Sequence, residues 1–209
     1  MNASQSNRRG VLAGLIALIG SAVFPRPALS AALTARATEG PFYPTPRLRL
    51  NDVDNDLVKV LGLVQQAGGE IITLHGHVTD TDGTPLSGHR VEIWQCDING
   101  KYLHPGDDRD VAYDRGFQGF GHDVTDADGR YTFRTIKPSK YPGRTPHIHA
   151  KVFDEKGHEL LTTQFYEAGN ADNARDWLFR RMSPDQARAV SMTYFEGSDG
   201  EETIINIVL

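Results

Sequence analysis

Two histidines one residue apart, His147 and His149, have the type and spacing best suited to chemistry. Residues 147–154 are typical of a strand, in which residues two apart project from the same face. The two imidazoles would then stand side by side, while Ile148 would point into the opposite layer. Neutral imidazole is the commonest protein ligand for transition metals. A lone His-x-His pair is common in strands, however, so a metal site needs further donors.

Two tyrosines and one arginine supply candidates. Tyr141 and Arg144 come just before the histidine pair, in a segment that prolines and a glycine keep out of regular structure. Tyr102 lies upstream, near the start of a polar, glycine-rich stretch over residues 97–121. Loops of that length without their own structure are usually functional.

Composition limits the classes of protein to consider. A chain of 209 residues with 39% apolar content predicts one domain with one core. The net charge of −5 and the lack of a basic run argue against a nucleic-acid partner. The single cysteine, Cys96, excludes an intrachain disulfide and a multi-cysteine metal site. Because Cys96 lies in an apolar run, we expect a buried, inert thiol.

Residues 1–30 are typical of an export signal. Arg8 and Arg9 precede an uncharged apolar run over residues 11–24, and residues 28–30 fit a signal-peptidase site with cleavage before Ala31. The run is short for a membrane span, so we expect no stable membrane anchor after cleavage. The paired arginines resemble a twin-arginine signal, which exports folded proteins; an ordinary secretory signal is the alternative. The mature protein is predicted to be periplasmic or secreted.

The rest of the chain predicts an all-β fold. Residues 31–69 read as an extended arm that wraps over the body of the domain, and residues 70–209 as the domain itself. A capping box at residues 183–186 opens a short helix through residue 190, and residues 174–181 suggest another helical turn. We expect a β-sandwich of mixed or antiparallel sheets with long active-site loops and one or two short C-terminal helices. Strands are predicted at residues 71–79, 91–96, 130–136, 147–154, 159–166 and 203–209.

Several motifs, taken in order, resemble those of the intradiol ring-cleavage dioxygenases, the family of protocatechuate 3,4-dioxygenase and catechol 1,2-dioxygenase. The resemblance extends from residue 38 to about residue 169. Its most specific part is the family's Arg-x-x-His-x-His pattern, found here at residues 144–149. The other motifs are Thr-Glu-Gly-Pro (38–41), Val-Glu-Ile-Trp-Gln (91–95), Asn-Gly-Lys-Tyr (99–102), Thr-Asp-Ala-Asp-Gly-Arg-Tyr (125–131), Phe-Arg-Thr-Ile-Lys-Pro (133–138) and Thr-Gln-Phe-Tyr (163–166).

The resemblance implies a non-haem Fe(III) cofactor with Tyr102, Tyr141, His147 and His149 as its ligands. Two phenolates are hard anionic donors that favour Fe(III), and the metal must drive their deprotonation because free tyrosine has a pKa of about 10. It also implies that a catechol binds the iron as a dianion and displaces Tyr141. With O2 the ring would open between its hydroxyl-bearing carbons to give a cis,cis-muconate-type dicarboxylate.

Two further residues acquire roles by the same resemblance. Arg144 would supply positive charge where anionic ring carbon develops, and Gln164 would orient the substrate or an iron-bound hydroxide. Without the resemblance, Arg144 would be interpreted as part of a surface salt bridge and Gln164 as a strand residue that satisfies buried backbone. Gly143 stands where protocatechuate enzymes carry a tryptophan, so we expect a more open pocket. The particular catechol stays open, and family members usually associate, so a homo-oligomer is an open expectation.

Two alternatives compete with this interpretation. A cupin-like Fe(II) or Mn(II) dioxygenase would use His147 and His149 with an acidic ligand such as Asp154, but would leave both tyrosines unexplained. A non-catalytic, transthyretin-like binding module would need no metal, but would have little reason to keep the complete ligand set. A second His-x-His pair, His75 and His77, has no matching tyrosines in a recognised motif and is interpreted as ordinary strand residues.

Overall fold

The computed structural model describes residues 31–209; the predicted export signal lies outside the described residues. The described part of the chain contains two five-stranded sheets. One short α-helix, α1 (Pro184–Ala189), begins at the capping box that the sequence predicts. The strands are β1 (Ile71–Thr79), β2 (Arg90–Trp94), β3 (Phe120–Val124), β4 (Arg130–Ile136), β5 (His147–Phe153), β6 (Glu159–Glu167), β7 (Ser191–Met192), β8 (Tyr194–Gly197), β9 (Gly200–Ile204) and β10 (Ile207–Val208).

The two sheets are mixed, and one core lies between them. In the first sheet β1 pairs antiparallel with β4 and parallel with β9 and β10, and β8 pairs with β9. The second sheet has the order β3-β2-β5-β6-β7, antiparallel except for the last pair. Alternation along the strands sends one set of apolar side chains into the core. The predicted all-β sandwich is therefore confirmed. Fully buried core residues from both sheets include Leu74, Val78, Phe133, Val91, Ile93, Ile148, Val152 and Phe165.

Some strand predictions were wrong. The long loop ends at residue 119 because β3, which the sequence did not reveal, begins at Phe120. The single predicted strand over residues 203–209 is divided into β9 and β10. The break between β9 and β10 lies opposite Gly76. There the hydroxyl of Tyr131 donates to the Ile205 carbonyl at 2.7 Å, and the Asn206 side chain accepts the His77 N–H at 3.1 Å. The predicted helical turn over residues 174–181 is replaced by 3-10 helices at Ala171–Ala174 and Phe179–Arg181.

The N-terminal arm lies against both sheets. The Thr34 N–H donates to the Val208 carbonyl at 3.0 Å, and the Ala37 N–H donates to the Thr162 carbonyl at 2.8 Å. Further along, Leu57 and Val58 are fully buried in the main core. The arm thus contacts the body of the domain at several points, while the division of the chain at residue 69 stays a prediction. Within residues 31–209, no helix is long and apolar enough to cross a membrane.

Candidate metal centre and active site

The candidate site lies on the outer face of the second sheet, away from the core. Trp94 on β2, His149 on β5 and Gln164 on β6 are direct cross-strand partners, so their side chains share one face. Ile148 alternates to the core side and is fully buried there. Strand geometry therefore places both imidazoles and the Gln164 amide on one surface.

The N-terminal arm covers this surface. The Gln164 amide Nε2 donates to the Thr38 carbonyl at 2.9 Å, and Lys151 forms an ion pair with Glu39. The phenol of Tyr43 donates to Glu92 at 2.6 Å. These contacts bury the polar side chains of the sheet surface and give each of them a partner. The arm thereby separates the candidate site from bulk water.

Tyr102 is held by a tight turn at the start of the long loop. One oxygen of Asp97 accepts the N–H groups of Asn99 and Lys101, both at 2.9 Å. The N–H of Tyr102 donates to Asp107 Oδ2 at 2.8 Å. Burial opposes the charge on Asp107, but Arg109 and that N–H bond lower its pKa to about 2. The backbone of Tyr102 is thus fixed by charged acceptors.

Tyr141 lies in the connection between β4 and β5. The Cys96 thiol donates to the Ser139 carbonyl at 3.3 Å just before it, and the Arg144 N–H donates to the Tyr141 carbonyl at 3.2 Å in a turn just after it. Cys96 is buried as predicted, and burial raises its pKa to about 12, so the thiol is inert. Unlike the buried ring of Tyr102, that of Tyr141 is half-buried.

The four predicted ligands converge. Ring centroids lie 5.4 Å apart for Tyr102 and Tyr141, 5.6 Å for Tyr141 and His147, and 4.7 Å for His147 and His149. The Tyr102 and His149 rings, at 6.2 Å, close the cycle. Residues that are up to 47 positions apart in sequence therefore surround one small volume.

The nitrogens in this cluster are arranged as metal ligands require. His147 Nδ1 lies 2.7 Å from the Thr145 carbonyl, which makes Nδ1 the protonated nitrogen and leaves a lone pair on Nε2. That Nε2 lies 3.1 Å from Nε2 of His149. Burial, reinforced by Arg144, lowers the pKa of His147 to about 4, and burial lowers the pKa of His149 well below its usual value. Both imidazoles are therefore neutral near pH 7, the form that binds metals.

The phenols complete the donor set. The buried hydroxyl of Tyr102 has no hydrogen-bond partner among the described residues, an unusual state for a buried polar group. Burial raises its pKa well above the usual value, so a strong cation is needed to replace its proton. No group of three or more His, Cys, Asp or Glu side chains suited to a metal occurs in residues 31–209, and the further protein donors beside the two imidazoles are the two phenols. Two phenols with two neutral imidazoles fit a hard trivalent ion such as Fe(III).

Arg144 and Gln164 form a network beside the cluster. Arg144 Nη2 donates to Gln164 Oε1 at 2.7 Å, and Arg144 Nε donates to Asp176 Oδ2 at 2.6 Å. The Tyr166 hydroxyl also donates to Gln164 Oε1, at 2.8 Å. The Arg144 side chain is only 12% exposed, so its ion pair with Asp176 is largely buried and not at the surface. Its carboxylate partner lies 32 residues away, in a segment that carried no sequence signal for the site.

Sequence reasoning also missed two aromatic residues. Trp94 stacks on His149 with centroids 4.7 Å apart and an interplanar angle of 11°. Phe42 of the arm stacks on Tyr102, also at 4.7 Å. Trp94 belongs to a motif that carries the resemblance and Phe42 directly follows another, and this was the available signal.

The side of the cluster near Gly143 is open. A cavity of about 290 Å³ is bordered there by Lys140, Gly143, Arg144 and Asp172. A Cβ placed on Gly143 would meet no described atom within 4 Å. None of the four clustered side chains lines this cavity, so the more open pocket expected from glycine in place of tryptophan stays a prediction.

Other candidate ligands lie elsewhere. The Asp154 carboxylate accepts the N–H groups of Lys156 and His158, both at 2.8 Å, in the turn between β5 and β6. That use of the carboxylate removes the acidic ligand of the cupin-like alternative. His75 pairs with Glu202 at 3.1 Å on the other sheet.

Comparisons with known proteins agree with this geometry. The family model described as Dioxygenase matches residues 38–209. The protocatechuate 3,4-dioxygenase beta chain of Burkholderia cepacia is 37% identical over 160 residues, covering 73% of this chain and 68% of that protein. Catechol 1,2-dioxygenase of Candida albicans is 32% identical over 113 residues, which are 46% of this chain and 36% of that protein.

A solved structure is similar along most of the chain. The dioxygenase domain of a dioxygenase carbohydrate-binding protein fusion from Streptomyces sp. SirexAA-E has a TM-score of 0.63 and 33% identity, covering 85% of this chain and 98% of that one. The fold and the family match define a ring-cleaving dioxygenase. The chain belongs to the intradiol ring-cleavage dioxygenase family. The cupin-like enzyme and the transthyretin-like binding module are therefore not favoured.

Proposed function

We propose that this chain uses a non-haem Fe(III) to cleave a catecholic ring between its two hydroxyl-bearing carbons, with O2, yielding a cis,cis-muconate-type dicarboxylate. The single observation that carries the proposal is the convergence of Tyr102, Tyr141, His147 and His149, with the Tyr102 hydroxyl buried and unpaired among described residues. When bound, the iron would take both oxygens of the diol and make the ring reactive toward O2. The residues of the chain hold, orient and shield that arrangement.

The two tyrosines differ in how tightly the surrounding structure holds them, and this difference assigns their roles. Tyr102 is buried under Phe42 and its backbone is tied to Asp107, so it is the fixed ligand. Tyr141 is half-buried in a turn beside an open cavity, so it is the one able to move aside. Its phenolate oxygen would then accept a proton from a substrate hydroxyl. Burial raises the pKa of Tyr141 while Arg144 opposes the rise, which keeps that oxygen a suitable base.

Arg144 and Gln164 act on the substrate side. The guanidinium is partly desolvated and fixed by two hydrogen bonds, so its charge is available where anionic ring carbon develops. The Gln164 amide is oriented by Arg144, Tyr166 and the Thr38 carbonyl. Its orientation is thus defined before any ligand arrives.

The substrate class is aromatic 1,2-diols. Relatives are named for protocatechuate, catechol and hydroxyquinol, all of which contain that group. The open side at Gly143 supports acceptance of a ring substituent.

We extend the proposal to export: residues 1–30 would direct the folded, iron-loaded protein to the periplasm or beyond, and N-terminal sequencing of exported protein tests this. Self-association is tested by sedimentation.

The visible spectrum of the iron-loaded protein tests the proposed site. Tyrosinate bound to Fe(III) should give a charge-transfer band and a red colour, which should shift to longer wavelength when a catechol is added without oxygen. Admission of O2 should then convert the catechol to a ring-opened dicarboxylate. A colourless protein containing stoichiometric iron would remove the two-tyrosinate site and the proposed function together.

A further inference from the structure

Asp176 is a carboxylate whose side chain is fully buried, and one of its two oxygens binds the Arg144–Thr145 segment of the candidate site. Its Oδ2 accepts from Arg144 Nε at 2.6 Å and from the Thr145 N–H at 3.2 Å. Its Oδ1 accepts the N–H groups of Leu178 and Phe179 at 3.0 and 3.1 Å. Four donors on two oxygens leave the carboxylate a single orientation.

That orientation is transmitted to the guanidinium of Arg144. Arg144 is held through Nε by Asp176 and through Nη2 by Gln164, and these two bonds define the plane of the group. A long side chain otherwise has many rotamers. A guanidinium fixed in advance can stabilise developing charge without reorganising during the reaction.

We propose that Asp176 is a positioning residue that holds Arg144 in the orientation required for ring cleavage. The inference rests on the proposed function, because Arg144 acts on the substrate only if the chain cleaves catechols. Asp176 makes no hydrogen bond to the four ligand side chains, so it should influence turnover rather than the ligand set. Its effect should also disappear when Arg144 is absent.

The first test is Asp176→Asn in the iron-loaded full chain. Asparagine removes the charge, and because its one carbonyl oxygen cannot replace both carboxylate oxygens, the Arg144 Nε–H loses its charged acceptor whichever way the amide faces. We expect kcat to fall about 10- to 100-fold, the usual effect of losing a supporting residue around a metal site. The resting visible spectrum should be unchanged, and anaerobic catechol affinity should stay within about threefold. A loss confined to KM, or an altered resting spectrum, would overturn the proposal.

Asp56→Asn is the matched control. Asp56 also forms an ion pair with an arginine, Arg134, at 3.3 Å, and it lies outside the candidate site and its cavity. Removing this charge should leave kcat within about twofold, because the carboxylate of Asp56 pairs with Arg134 and not with Arg144. An equal loss in both variants would mean that the effect is general electrostatics, and would overturn a specific role.

A double-variant comparison separates positioning from general structural support. In an Arg144→Gln background, adding Asp176→Asn should lower kcat by less than about threefold, because the group it orients is already gone. A further loss as large as in the wild-type background would show that Asp176 acts by another route. This pair also removes both buried charges together, so it remains informative if the single variant does not fold.

Failure of this inference and failure of the proposed function give different results. The Nε–H of Arg144 can be followed by NMR in the full chain with diamagnetic Ga(III) in place of iron, its signal assigned by loss in Arg144→Gln. We expect a protected, slowly exchanging signal that becomes unprotected in Asp176→Asn. Unchanged protection would overturn the inference whatever the chain catalyses, whereas a wild-type protein that opens no catechol would refute the proposed function and, with it, a role in ring cleavage.

Discussion

Gly100 and Lys140 are in such close contact that a Cβ on Gly100 would lie 2.4 Å from the Lys140 carbonyl oxygen. Gly100 precedes Tyr102 in one loop, and Lys140 precedes Tyr141 in another. Gly100 also has φ = +71°, the left-handed region that favours glycine. The absence of a side chain at this position therefore lets the two tyrosine-bearing loops meet.

Substituting Gly100 with alanine should destabilise the protein through two effects. Left-handed backbone costs a residue with a Cβ about 1–2 kcal/mol, and displacing the Lys140 backbone costs about a further 1–3 kcal/mol. The measurement is the free energy of unfolding by urea. The iron-loaded variant should also lose part of its red colour because the tyrosines separate.

Gly157→Ala is the control for that experiment. Gly157 has φ = +84° in the turn after β5, and a Cβ there would meet no described atom within 4 Å. Only the backbone cost of about 1–2 kcal/mol should appear, with no change in colour. Equal destabilisation by the two variants would show that the contact with Lys140 is unimportant.

Removing the Tyr102 hydroxyl should have opposite effects with and without metal. In metal-free protein the hydroxyl is buried and unpaired among described residues, so Tyr102→Phe should leave stability unchanged or raise it by about 1 kcal/mol. In the presence of Fe(III), the variant should lose most of the metal-dependent rise in melting temperature, because ligand binding to the folded state is what stabilises it. Differential scanning calorimetry of both forms measures this.

Tyr194→Phe is matched to that variant, since its hydroxyl is also buried without a partner in the described part of the chain but lies on β8 of the other sheet. Without metal, its stability should change as that of Tyr102→Phe does. With Fe(III), it should keep the wild-type rise in melting temperature. If both variants kept the iron-dependent stabilisation, Tyr102 would not be a ligand.

The amino-acid sequence predicted the structural elements that depend on a local pattern of residues. The bounds of β1 and β4 agree with prediction because their apolar residues alternate over seven or more positions. β3 was missed because only its first two residues are buried, so no alternation marks it. The turn signals before Tyr102 and the capping box of α1 are likewise local.

The missing part of the site depends on pairing between distant residues. Nothing near Asp176 indicates that its carboxylate meets Arg144, because 32 residues and two strands separate them. The burial of Lys151 and Gln164 likewise depends on an arm more than a hundred residues upstream. The candidate ligands were accessible from the resemblance, whereas their supporting contacts required the fold.

Ile148 should affect stability without affecting the candidate site. It lies between His147 and His149 but faces the core and is fully buried, so Ile148→Val should cost about 1 kcal/mol. The visible spectrum of the iron-loaded variant should not change, because the lost methyl group is on the opposite face of the strand. Ile204→Val, at a side chain 48% exposed, should cost less than about 0.5 kcal/mol. A shifted spectrum in Ile148→Val would mean that core packing sets the ligand geometry.

Asp154 should make stability depend on pH in the acid range. The backbone N–H of His158, its ring and the N–H of Lys156 together lower the pKa of Asp154 to about 2. Because the folded-state pKa is below the unfolded value of about 3.9, this contribution is fully present above pH 4 and is lost as pH falls toward 2. The urea midpoint of metal-free Asp154→Asn should therefore lie below that of the wild type at pH 7, and the difference should shrink by pH 2.5. A constant difference for Asp154→Asn across that range would contradict the assignment.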